Sequence, residues 1–75
     1  MKYIRHKTMG FYLFPPLITH EDFAIMNCLV IKDDIISAGF IYDGKCYGKS
    51  VSLGIGSHPD DTADLLEQLG MEATI

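Results

Sequence analysis

The segment Gly44-Lys45-Cys46-Tyr47-Gly48-Lys49-Ser50 ends in the Gly-Lys-Ser that closes a phosphate-binding loop. Such a loop needs four residues between its first glycine and that tripeptide, and it must lead from a strand into a helix so that backbone N–H groups curl around phosphate. Here three residues intervene, and the segment reads as the second strand of a hairpin. An extended strand cannot cradle phosphate. Lys49 is therefore read as a sheet lysine, its stem on apolar surface and its ammonium in water.

Ser57, His58 and Asp60 are the next grouping with a possible chemistry. Nucleophilic catalysis places a Ser or Cys beside its base on a strained turn. Neighbouring residues at a helix start point in different directions, and Ser57 with Asp60 three residues on fits a helix cap better. His6, His20, His58, Cys28 and Cys46 share no C-x-x-C, H-x-H or H-x-x-x-H spacing, so the sequence assigns no metal site. No catalytic residue and no cofactor is assigned either. A small-ligand or enzymatic domain using the Ser57/His58 region stands as the alternative reading.

Charge carries more information. The formal net charge is −4, against the Lys/Arg surplus that phosphate neutralisation requires, so direct nucleic-acid binding is not expected. The first 20 residues hold Lys2, Arg5 and Lys7 with one kind of charge only, whereas from Ser50 onward Asp60, Asp61, Asp64, Glu67 and Glu72 occur without a Lys or Arg. Asp33, Asp34, Asp60, Asp61, Asp64 and Glu67 are the expected partner-binding residues. Clustered like charge steers association with a basic surface, and i,i+4 cations that would neutralise a helix face are absent from the sequence there.

The elements that would position these groups follow from pattern. Lys2 to His6 and Phe11 to Phe14 flank Lys7-Thr8-Met9-Gly10 as a hairpin, and Pro15-Pro16 ends its second strand. Thr19 with Asp22 starts a helix expected from His20 to about Ile31, with Phe23, Met26 and Val30 on its core face beside Leu29. Ala24, Cys28 and Ile31 form a second apolar strip on it, which suggests a homodimer contact through that strip or a neighbouring sheet edge.

Ile35 to Tyr42 and Lys45 to Leu53 are strands joined by Asp43-Gly44, a type I′ signal. That turn would pair Phe40 with Tyr47, Ala38 with Lys49 and Ile36 with Val51, leaving Ser37, Gly39, Gly48, Ser50 and Ser52 on a flat small-residue face. Ser57 would cap a last helix with Pro59 in its first turn, ending at Gly70. On it Thr62, Leu65, Leu66 and Leu69 would face inward and the carboxylates outward.

The expected fold is a single α+β domain over residues 1 to 75, an antiparallel sheet with two helices on one face in the order ββαββα. With 75 residues, 48% of them hydrophobic and 21% charged, the chain is too apolar for disorder yet builds only a small core. No run approaches the length of a membrane span, and Pro15-Pro16 interrupts the early apolar stretch, so a cytoplasmic location with two reduced thiols is expected.

Phe11-Tyr12-Leu13-Phe14-Pro15, Ser37-Ala38-Gly39-Phe40, Cys46-x-Gly48-x-Ser50-x-Ser52-Leu53 and Ser57-x-Pro59-x-Asp61-Thr62 together resemble a group of small proteins of bacterial viruses and prophages. The resemblance implies a non-enzymatic inhibitor, of the anti-CRISPR kind, that docks on a host protein or ribonucleoprotein complex in a bacterial cytoplasm. It carries no individual residue role with it.

Overall fold

The computed structural model describes residues 1–29 and 34–70. Strands β1 (Lys2–His6) and β2 (Gly10–Phe14) form the first hairpin, in register from Lys2 opposite Phe14 to His6 opposite Gly10. Its turn is held by the His6 ring, whose Nδ1 accepts the N–H groups of Thr8 and Met9. Helix α1 (His20–Met26) follows, with Thr19 Oγ1 accepting the Asp22 N–H at 3.0 Å as the cap expected from its sequence.

Helix α1 is shorter than the pattern implied because Cys28 takes a left-handed φ of 59°. The Leu29 N–H then reaches back to the Ala24 carbonyl and the Cys28 N–H to Ile25, the two bonds of a Schellman stop, with Leu29 and Ala24 meeting in the core. A glycine would normally announce such a stop. Here a cysteine occupies the position, so no residue type marks the stop, and Met26, expected inside, is exposed. Val30 and Ile31 lie outside the described residues.

Strands β3 (Ile35–Tyr42) and β4 (Lys45–Tyr47) are joined by Asp43 and Gly44 at φ 53° and 74°, the positive values a type I′ turn demands. Of the pairings that turn was expected to set, Phe40 with Tyr47 forms. Beyond it the ladder stops. The backbone at Tyr47 passes so close over Gly39 that a Cβ there would run into the Tyr47 carbonyl, and Gly48 bends at φ 76°. Lys49 and Ser50 become β5 and pair with β6 (Ile55–Gly56) in a small second hairpin. The Gly44–Ser50 segment is thus turn, strand, bend and strand, and it leads into β6 rather than directly into a helix.

The main sheet has the order β2-β1-β3-β4, all antiparallel, and α2 (Asp61–Gln68) closes the described chain. Strand alternation sends side chains to two faces. Ile4, Phe14 and Ala38 pack with Ala24 and Leu29 of the α1 segment and with Leu53. Tyr3 and Phe11 pack instead with Leu65 of α2, with Ile41 and Cys46 beside them. The α+β class, the antiparallel sheet and the two helices are as expected, but the helices stand on opposite faces of the sheet rather than sharing one. The strip read as a flat small-residue face is divided: Ser37, Gly39 and Ser50 are buried, whereas Gly48 and Ser52 are exposed. No helix among the described residues is long and apolar enough to cross a membrane.

Helix α2 lies across the strands and reaches both outer ones. Thr62 Oγ1 accepts the Cys46 N–H of β4 at 2.9 Å. At the other end the Gln68 amide accepts the Phe11 N–H of β2 at 2.8 Å and donates to the Phe11 carbonyl at 3.2 Å. Outer strands expose unpaired backbone groups that recruit other chains, so the helix blocks both edges at those points.

Candidate functional site

The six acidic positions do not form one surface. Asp61 is fully buried, with 0% of its side chain exposed. This corrects the expectation that it lies on the outward arc of α2. Asp61 and Leu65, one turn apart, form the buried stripe of the helix, while Leu69 is 52% exposed. The helix is therefore rotated by roughly one residue from the arc of Thr62, Leu65, Leu66 and Leu69 that the sequence suggested.

The rotation has a polar cause. Asp61 Oδ1 accepts hydrogen bonds from Ser37 Oγ at 2.9 Å and from Arg5 Nη1 at 3.1 Å. Its Oδ2 accepts from the Tyr3 hydroxyl and, at 2.8 Å, from the His58 N–H. Arg5, on the same face of β1 as Tyr3, also pairs through Nη2 with Asp64 at 2.7 Å. Every acceptor direction of the buried carboxylate is used, so it has no free lone pair for proton transfer. Its role is to fasten α2 to the two central strands. Burial alone would raise the Asp61 carboxyl, but the bonds from His58, Tyr3, Ser37 and Arg5 outweigh it and hold the pKa below the ordinary carboxylate value. Burial first, and then the neighbouring carboxylate, push the Tyr3 phenol well above its ordinary value. Burial likewise raises the Cys46 thiol, which stays protonated at neutral pH.

This arrangement also displaces the expected cap. Asp60 occupies the position before the helix without a side-chain cap bond, and Asp61 bonds back to the His58 N–H instead of Ser57 bonding forward. Ser57 is tied into the fold by its own N–H, which donates to the Gly48 carbonyl. The His58 ring Nδ1 accepts the Asp60 N–H at 3.2 Å and lies 3.7 Å from the Asp60 carboxylate. Ser57, His58 and Asp60 thus act as turn residues.

The remaining acids divide. Asp34 pairs with Lys7 at 3.3 Å, and Asp33 lies outside the described residues. Asp60 and Glu67 are exposed, and neither has a Lys or Arg within ion-pair distance among the described residues. Beside Glu67 an open cleft of about 480 Å³ runs to Arg5, Lys7, Thr8 and Phe11. The apolar strip suggested for a homodimer is likewise divided, because Ala24 is buried while Cys28 is exposed. No cluster of three or more potential metal ligands occurs among the described residues.

Sequence reasoning missed the buried carboxylate. The available signal was Tyr3, Arg5 and Ser37, which carry polar groups on what become the central strands and need a partner once covered. No protein-family model, curated protein sequence or solved structure matches the chain.

Proposed function

We propose that the chain is a small acidic binding protein of the bacterial-virus type, an inhibitor in the manner of anti-CRISPR proteins, which docks through α2 on a basic surface of a host protein or ribonucleoprotein complex. The supporting observation is the pairing of a fixed helix with unneutralised charge. Asp61 clamps α2 to the sheet, and Asp60 just before that clamped helix and Glu67 on it are exposed with no Lys or Arg partner among the described residues. Charge on a rigid element loses little conformational freedom on docking, and it steers a basic partner into register. The footprint is accordingly Asp60, Glu67 and the exposed part of Asp64. Asp61 acts beneath it.

The test begins with a partner recovered from bacterial lysate and measures its association rate with wild type and with Asp60→Lys/Glu67→Lys at two ionic strengths. The double reversal should cost no more than about 1 kcal/mol, because both sites are exposed and the only penalty is a cation set at the helix N-terminus in place of Asp60. Association should slow by about tenfold or more at low salt, and wild-type association should weaken as salt rises. An unchanged rate at low salt would remove α2 from the interface.

A further inference from the structure

On the opposite face of the sheet a second cleft, of about 380 Å³, is lined by Lys2, Thr19, His20, Phe40, Lys49 and Ser52, with Val51 at its rim. His20 is 97% buried and its ring stands edge-on to Phe14 and Phe40, at centroid distances of 5.4 and 5.6 Å. Nε2 lies 2.9 Å from the Gly39 carbonyl oxygen, which can only accept, so Nε2 carries the proton and Nδ1 carries a lone pair. Burial lowers the His20 pKa and keeps the ring neutral. Nδ1 has no hydrogen-bond partner among the described residues. No enclosed side-chain nitrogen or oxygen among the described residues is left unpaired, so Nδ1 keeps some solvent access, and His20 lines the cleft.

The charged residues that line the cleft are both lysines, with Glu21 and Asp22 on the adjoining turn of α1. Lys2 Nζ donates one bond to the Ile18 carbonyl at 3.0 Å and sits 5.9 Å from the centre of the Phe40 ring, leaving two of its three N–H donors uncommitted. Lys49 is exposed and has no ion pair among the described residues. The nearby backbone N–H groups contribute nothing, because Thr19 Oγ1 takes that of Asp22 and Ser52 Oγ takes that of Glu21. A ligand that satisfies the cleft needs an anion for the two ammonium groups, a donor for Nδ1 and an apolar part for Phe40 and Val51.

We infer that this cleft is a binding site for a small hydroxy carboxylate bearing an apolar substituent. The carboxylate lies between Lys2 and Lys49, the hydroxyl donates to His20 Nδ1, and the substituent rests on Phe40. An amine in place of the hydroxyl fits worse, because its charge would meet two lysines. This site is independent of the α2 surface, which lies across the sheet.

Titration of the isotopically labelled protein with 3-phenyllactate, and with 3-phenylpropionate as the analogue lacking the hydroxyl, tests the assignment by nuclear magnetic resonance. Phenyllactate should give saturable shifts at His20, Lys49 and Ser52 and move the His20 Nδ1 resonance. Phenylpropionate should bind about tenfold more weakly and leave Nδ1 in place, the loss expected for one hydrogen bond to a buried acceptor. Lys49→Ala, at an exposed position, should weaken phenyllactate about fivefold or more without altering thermal unfolding. Shifts that do not saturate, equal affinity for the two acids, or undiminished binding by Lys49→Ala would each overturn the assignment.

Discussion

The two faces of the sheet are held by different physics. On one, α1 and the second hairpin cover Ile4, Phe14 and Ala38 with apolar side chains, and the stacked rings of Phe14 and Phe23 lie 4.0 Å apart. On the other, a thin apolar layer of Tyr3, Phe11 and Leu65 surrounds one carboxylate with four donors. Apolar contact is proportional to area and nearly indifferent to direction, so it tolerates small changes of shape. A buried carboxylate is directional and fails sharply when a partner is lost. The apolar face supplies bulk stability, whereas the polar face fixes how α2 is turned and which side chains it presents outward.

The largest effect that would expose this difference is Asp61→Ala. It strands Arg5, Tyr3, Ser37 and the His58 N–H, and should cost about 3–5 kcal/mol, enough to unfold most of a chain this small. Ile4→Val, at an equally buried site on the apolar face, should cost only about 0.5–1.5 kcal/mol. Urea unfolding midpoints of the two variants measure the contrast, and equal losses would erase it.

An intermediate effect separates the faces by pH. His20 has a folded pKa below the ordinary 6.5, so its contribution is whole above that value and declines as pH falls through the folded pKa, when the unfolded chain takes the proton first. Asp61, lowered from 3.8, keeps its contribution above that value and loses it at still lower pH. Tyr3 is raised from 10.0, so its contribution is present below that value and lost as alkali rises through the folded pKa. Acid unfolding should therefore weaken the apolar face first and the polar face second. Urea midpoints against pH should lose the upper acid step in His20→Gln and the lower one in Asp61→Asn.

The smallest effect concerns the sheet edges. Gln68→Ala removes both bonds to Phe11 of β2, and Thr62→Val removes the acceptor for Cys46 of β4. Each should cost about 1 kcal/mol in stability. The informative readout is light scattering, where Gln68→Ala should associate more than Thr62→Val because it frees an N–H and a carbonyl together. If neither variant associates, edge protection does not depend on α2.

Local pattern in the sequence was enough for the first hairpin, the Thr19 cap and the Asp43-Gly44 turn, because each depends on residues within a few positions of one another. It also supplied the α+β class and the number of helices. The early stop of α1 was hidden because Cys28, not glycine, takes the left-handed position. The break of the long hairpin at Gly48 depends on how Tyr47 passes over Gly39, a contact that the strand pattern does not encode.

The assignment of the helices to opposite faces, and the inward turn of Asp61, were decided by tertiary structure alone. A helical wheel places a carboxylate outward because burial without partners is expensive. Only when β1 lies beside β3 do Tyr3, Arg5 and Ser37 converge from distant parts of the chain and make that burial favourable. Residue types determined which local pieces would form, and long-range convergence of donors determined how the last piece was turned.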